Sequence, residues 1–208
     1  MSAKLLAALG SRGENLVTID LETFYSAEYQ LRKLTTESYV RDERFEALGV
    51  GVKVGKQPSV WLEAWDFAEW AKTVDWSRVA VLCHHAHFDA AILAWRFGIV
   101  PRFIFDTMCM ARALHGPSGV GLDVLSMKYG IGRKTDGLDS VKGKRRADLT
   151  QAQWRALGEY CNNDVELTYQ LFMRMLPGFP RLELWAIDTT VRAFTEPVFE
   201  ADQAVLMA

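Results

Sequence analysis

No stretch of this sequence is long and apolar enough to span a bilayer, and the first ten residues carry one charge and an apolar run too short for a secretory signal. A soluble, cytoplasmic protein with no membrane partner is the resulting expectation. An excess of either charge is lacking too: 24 Lys and Arg stand against 26 Asp and Glu, a net −2. That balance excludes a global attraction to nucleic acid, so any polyanion must be met by a local basic patch or by bound metal. Cysteine is scarce. Cys83, Cys109 and Cys161 are scattered, odd in number and set in apolar contexts, which excludes a disulfide framework or zinc ribbon and points to buried thiols in a reducing compartment. Internal repeats and low-complexity tracts are missing as well. What remains is a chain of 208 residues, half of them hydrophobic, enough for one well-cored domain.

The stretch around which the chain is organised is residues 16–23, Leu-Val-Thr-Ile-Asp-Leu-Glu-Thr. In a strand, alternate side chains share a face, so Asp20 and Glu22 converge on one side and Ile19 and Leu21 face the other. Two acids held side by side repel each other, and a divalent cation offsets that repulsion. Alone, Asp-x-Glu is a weak signal, because it is common on solvated edges.

Residues 24–45 form a polar and aromatic connection, with one short helix starting near Thr35, and its length marks it as a candidate functional loop. Residues 47–54 alternate, with Leu48, Val50, Val52 and Val54 on a covered face and glycines or lysine opposite; a turn at 55–58 returns the chain through 59–62 as a hairpin beside the first strand. A helix over 65–74, a buried strand over 79–83, a helix from about His87 closed by Gly98 and Pro101, and a short strand at 103–105 follow. Asp106 suits the cap of a helix through Met108, Ala111 and Leu114, and a further short helix, 122–129, stops at Gly130. This order predicts an α/β fold with a mixed five-stranded sheet, an antiparallel meander plus parallel crossovers, flanked by helices on both faces.

Residues 130–148 are glycine-rich and basic, and contain Arg133, Lys134, Lys142, Lys144, Arg145 and Arg146. A solvated loop is the ordinary reading of such a run; a phosphate-facing loop is the specific one. Thr150 and Gln153 match a capping box. The long helix that follows turns Trp154, Leu157, Cys161, Val165, Phe172 and Met175 to the core, sets Tyr160 and Asp164 side by side, leaves Glu166 solvated, and ends at 177–180. A last helical spacing runs through Leu184, Ile187, Val191, Phe194 and Val198.

Three acidic stations therefore stand on rigid elements: Asp20 with Glu22, Asp89, and Asp164. Four carboxylates suit two hard ions, Mg2+ or Mn2+, about 4 Å apart, able to activate water, grip a phosphodiester and stabilise the leaving oxygen. Tyr160, with an ordinary pKa of about 10, orients the water rather than taking its proton. A transition-metal site at His84, His85 and His87 is disfavoured, since neighbouring histidines at a strand end point to opposite faces. Phe24 and Tyr25 suit base stacking or the core equally well.

The motifs Ile19–Thr23, His84–Asp89 and Tyr160–Asp164 together resemble those of the DnaQ-like, DEDD-type 3′-to-5′ exonucleases, in the subclass with a Tyr-x-x-x-Asp third motif. The resemblance covers almost the whole chain. It implies a ribonuclease H-like fold, metal ligands at Asp20, Glu22, Asp89 and Asp164, a water-orienting Tyr160, and substrate contacts from Thr23, Phe24, Tyr25, His85, Phe88, Lys142, Lys144 and Arg145. Residues 24–45, 105–108, 142–146 and 190–198 are similar to the proofreading portion of phage-type family A DNA polymerases, in which the last segment leads into the polymerase domain. Residues 1–180 are then the exonuclease domain and 181–208 a helical tail, amphipathic and partly uncovered. The implied substrate is DNA, single-stranded or at a frayed 3′ terminus, in a bacterial or phage-infected cell, with a polymerase domain or replication protein as partner. An exoribonuclease is the alternative, and a non-catalytic binding module is opposed by the intact acids. Many relatives have Asn where this chain has His85, so activity is expected to depend on pH near about 6.5.

Overall fold

The computed structural model describes residues 15–135, 139–198 and 203–207, so the readings made of residues 1–10, 199–202 and 208 lie outside the described residues. Five strands form one sheet: β1 (Leu16–Thr23), β2 (Ala47–Val54), β3 (Val60–Glu63), β4 (Ala80–Cys83) and β5 (Phe103–Asp106), in the spatial order β3-β2-β1-β4-β5. β1, β2 and β3 pair antiparallel, while β1–β4 and β4–β5 pair parallel. This is the meander followed by crossovers that the sequence predicts.

Alternation along β1 decides what each face does. Val17, Ile19 and Leu21 join a core with Phe67 and Trp70 of helix α2 (Ala64–Ala71), Ala90 and Leu93 of α3 (Ala86–Phe97), and Val191 of α7 (Arg181–Thr195). On the opposite face a second core joins Leu82 to Met110 of α4 (Thr107–His115), Leu125 of α5 (Leu122–Tyr129), and Leu167 and Leu171 of α6 (Gln151–Met175). Asp20 and Glu22 point to this second side, toward α6. Two short helices, α1 (Thr36–Arg41) and α8 (Gln203–Leu206), complete the α-helices among the described residues.

The expectation of one open face on β2 is not met, since Leu48–Val54 is buried throughout. The reason lies in its glycines. Across the ladder, Asp20 pairs with Gly51 and Glu22 with Gly49. A β-carbon on Gly51 would stand 2.8 Å from the Cys161 thiol and 2.9 Å from Val165, and one on Gly158 of α6 would stand 2.5 Å from the Trp61 ring. Missing side chains therefore let α6 settle directly onto the sheet beside the two acids. Lys53, which shares the glycine face, is buried there and ion-paired to Glu166 at 2.8 Å, its ammonium also donating to Gln57 O. Glu166 is thus a partner of a buried cation rather than a free solvated acid.

Caps fix the helix ends near the site. Thr150 and Gln153 form the expected capping box on α6. Asp106 does more than cap α4: buried, it accepts from the backbone N–H of Met108 and Cys109 and also from those of His85 (3.0 Å) and Ala86 (3.0 Å) at the start of α3. One carboxylate thus serves two helix N-termini, and α3 begins at Ala86 rather than at His87.

α7 packs on the same unit. Asp188 accepts from Ile104 N–H on the outer strand (2.8 Å), Arg192 donates to Pro101 O (2.6 Å), and the Trp95 indole donates to Thr195 O (2.8 Å). Leu182 and Trp185 on its outer side are exposed.

We expect Gly51→Ala to destabilise the protein by about 1–3 kcal/mol, the usual cost of overpacking, because the new methyl meets Cys161 and Val165 on a helix that cannot retreat without losing the core behind it. Equilibrium urea denaturation measures this, and an unchanged midpoint would show that α6 does not depend on the glycine.

Candidate active site

The acids meet at the carboxyl ends of β1 and β4, where the neighbours of β1 change from antiparallel β2 to parallel β4 and helices close in from both faces of the sheet. β1 supplies Asp20 and Glu22, α6 supplies Tyr160 and Asp164 from one face, and the first turn of α3 supplies Asp89 from the other. Asp89 is buried, and its Oδ1 accepts from Leu21 N–H at 3.2 Å. That bond pins α3 to the strand that carries the first two acids. The structure thus gathers Asp20, Glu22, Asp89, Tyr160 and Asp164, drawn from three elements up to 144 positions apart in the chain.

The electrostatics of the cluster are unfavourable as they stand. Burial, then the nearby Asp164 charge, pushes the Asp20 carboxyl up to about 6. Burial and Asp20 together raise Glu22 well above the ordinary carboxylate range, and the same two causes raise Asp89. Asp164 is raised by burial and held back by Lys134. Groups that gain from losing their charge, packed this closely, are a site for cations. Carboxylate oxygens of Asp20 and Glu22 and the Cys161 thiol lie within 4.8 Å of one another, and Asp164 Oδ1 is buried with no hydrogen-bond partner. An oxygen-rich set with an orphaned carboxylate oxygen fits a hard divalent ion.

Two residues of the crevice were not marked as site residues in the sequence. Cys161, read as core, donates its thiol to Asp20 Oδ2 at 3.3 Å, in the space that Gly51 leaves. Its place immediately after Tyr160 was the available signal. Lys134, read only as part of the basic run, brings its ammonium 2.5 Å from Asp164 Oδ2 and 5.0 Å from the Tyr160 ring centroid. Burial raises the Tyr160 hydroxyl above its ordinary pKa, so it stays protonated at neutral pH.

Beside Glu22 a cleft of about 240 Å³ is lined by Glu22, Thr23, Tyr25, Leu31, Tyr39 and Phe88, among others. The 24–45 connection builds its wall as an aromatic layer: Tyr29 stacks on Tyr39 (4.3 Å, 8°), and Tyr39 lies 5.9 Å from Phe88. Of the expected substrate contacts, Tyr25, Phe88 and Thr23 line this cleft, but the Thr23 hydroxyl is engaged. The Tyr39 hydroxyl has one proton, donated to Phe24 O, so Thr23 must donate to Tyr39 (2.8 Å). Phe24 is half-buried against two cores beneath the Arg145 guanidinium (4.4 Å). Arg145 itself is bound to Glu46 at 2.7 Å, and Arg146 to Glu63, so the basic loop is partly neutralised where a free phosphate-facing run was expected. Lys142 is exposed and Lys144 half-buried, on the turn where Gly143 N–H donates to Tyr25 O.

His85, an exposed residue, occupies the left-handed region (φ 76°, ψ 52°), and partial burial of its imidazole lowers its pKa from the ordinary value. Any pH effect from it therefore falls below the expected 6.5. His84 turns instead to Thr107 Oγ1, 2.8 Å away.

A family described as 3′-5′ exonuclease matches residues 6–178 of the sequence. No curated protein matches it significantly. Among solved structures, RNase D of Trypanosoma brucei superposes with a TM-score of 0.67 at 13% identity, covering 98% of this chain and 74% of that one. NrnC of Brucella melitensis gives 0.64 at 19%, covering 90% and 87%, and a related NrnC structure is described with bound Mg2+. Escherichia coli RNase D, an exoribonuclease involved in structured RNA processing, gives 0.60 at 16%, covering 95% and 50%. The ribonuclease H-like architecture expected from the motifs is the architecture observed.

The raised acids give a pH dependence with a definite sign. A carboxyl with a folded-state pKa above its unfolded value keeps its proton longer when folded, so stability is lost as pH rises from about 4, the unfolded value, through about 6 for Asp20. In EDTA we expect the thermal midpoint to fall across that interval and beyond it, and Mg2+ or Mn2+ at pH 7 to restore it by several degrees. An EDTA-treated protein as stable at pH 7 as at pH 5, and indifferent to both ions, would contradict the cation-site reading.

Proposed function

Because the chain belongs to the 3′-5′ exonuclease family, we propose that it removes nucleotides from single-stranded or frayed DNA 3′ ends by hydrolysis at the Asp20–Glu22–Asp89–Asp164 cluster. The observation that carries this reading is the convergence of these four carboxylates with Tyr160 in one crevice, Asp89 and Asp164 buried and Asp20, Glu22 and Tyr160 half-buried. The family uses divalent metals, and the residues that would hold a Mg2+ or Mn2+ pair are Asp20, Glu22, Asp89 and Asp164. Bound there, the ions would supply water activation and charge for the leaving oxygen. The remaining work belongs to the chain. Glu22 faces the incoming water, and Tyr160, kept protonated by burial, orients it. Phe88 and Tyr25 bracket the terminal base in the cleft beside Glu22. Lys142 and Lys144, on the turn anchored to Tyr25, lie toward the phosphates upstream.

DNA is the substrate favoured by the likeness of residues 105–108, 142–146 and 190–198 to proofreading exonucleases. The same likeness makes residues 1–180 the nuclease unit, residues 181–208 a lead-in to a polymerase or replication partner, and a reducing cytoplasm the compartment. The free cysteines agree with that compartment. RNA is the second reading, supported by the similarity to RNase D, one structure of which from Trypanosoma brucei is described in complex with RNA U12.

Asp20→Ala or Asp164→Ala should lower turnover at least a thousandfold with the circular dichroism spectrum unchanged, and Tyr160→Phe by roughly 10- to 1000-fold, the span of a lost water-positioning contact. The assay uses 5′-labelled DNA and RNA oligomers side by side, single-stranded, paired and mismatched, with each metal. Either aspartate variant cutting at the parent rate would end the assignment of the site, and faster cutting of RNA would replace DNA by RNA.

A further inference from the structure

Lys134 reaches the crevice by a route that leaves it little freedom. Gly130 closes α5 in the left-handed conformation, with Gly130 N–H donating to Met127 O and Ile131 N–H to Ser126 O. This C-terminal motif turns the chain sharply back. Residues 131–134 then run along α5 and are caught at two points: Asp123 Oδ1 accepts from Lys134 N–H (3.3 Å), and the Asn163 side chain donates to Arg133 O (3.0 Å). The second anchor is the residue before Asp164. What these bonds hold in place is an ammonium 2.5 Å from Asp164 Oδ2, packed over the Tyr160 ring and 28% exposed.

Asp164 thus has one oxygen on an internal cation and the other buried with no partner. Of the charges on the four acids, Lys134 offsets one, and its field is felt at Asp20, Glu22 and Asp164. A divalent ion seated on Oδ2 would stand within two bond lengths of the ammonium, a like charge in a poorly solvated site.

We propose that Lys134 is a built-in counter-ion that holds Asp164 and Tyr160 in place before metal arrives and competes with the metal for the charge of Asp164, so that metal loading is weakened while the ammonium stays on Oδ2. It is a positioning residue, acting through Asp164, and this inference rests on the metal reading of the cluster given above.

The test is calorimetric titration of the full metal-stripped chain with MnCl2 alone, alongside thermal melting in EDTA and in saturating Mn2+. Lys134→Met keeps the length of the side chain and removes its charge. Mn2+ should bind it about tenfold more tightly or better, and its melting temperature should lie below the parent's in EDTA but not in saturating Mn2+. Lys134→Arg should bind Mn2+ as the parent does. Affinity of Lys134→Met within twofold of the parent, or weaker, overturns the proposal, as does Lys134→Arg binding as tightly as Lys134→Met. If Lys134→Met does not fold, Asn163→Ala decides, since it frees the anchor of the loop and keeps every acid: Mn2+ binding at least threefold tighter supports the competition, and unchanged binding overturns it. Failure of the parent itself to bind Mn2+ is a different result, because it removes the metal reading and the inference together.

Discussion

Everything in this fold is arranged around an electrostatic debt, the confinement of four carboxylates in one partly buried crevice. Burial first, and then the nearby like charges, raises the pKa values of carboxylates gathered in that way, and Asp20 is pushed up to about 6. No apolar core would assemble such a group for stability's sake, since each burial of like charge works against folding. The arrangement persists because rigid elements hold it from three directions: a central strand, a helix on one face, and the first turn of a helix from the other.

The devices that bring these directions together are small and specific. Glycines opposite the two strand acids let α6 lie against β2, where the Cys161 thiol fills the space at Gly51 and bonds to Asp20. Asp106, buried among backbone donors, sets where α3 and α4 begin, and so fixes the turn from which Asp89 projects. The Leu21 N–H then ties Asp89 to the strand. Each device replaces bulk or solvent by a directed contact, and each lies next to an acid.

The surroundings divide the crevice into unlike sides. Toward Glu22, the stacked tyrosines of the 24–45 connection and Phe88 make an apolar-walled cleft of a size to receive a base. Toward Asp164, the 131–134 segment supplies a cation and Tyr160 a protonated hydroxyl. The loop arginines complete a rim, but Arg145 and Arg146 are spent on Glu46 and Glu63. Their guanidinium groups also lie over Phe24 and Trp154, so they act as struts of the rim.

The sequence by itself determined the strands and helices, the mixed order of the sheet and the candidate acids, because these follow from local rules: period-two alternation in β1, the capping box at Thr150, the breaks at Gly98 and Gly130, and motif spacing along single elements. It also marked Asp106 as a cap, though not as one shared by two helices. Tertiary structure alone decided which side chains face one another across elements distant in sequence. That β2 is covered on both faces depends on a helix more than 100 residues later fitting against Gly51. That Glu166 answers Lys53, that Cys161 belongs to the acids as much as to the core, and that one lysine of a basic run enters the crevice while Arg145 turns to Glu46 are likewise matters of packing. Charge and hydrophobicity name what a residue can do, but pairings made over such distances are settled only when the layers close.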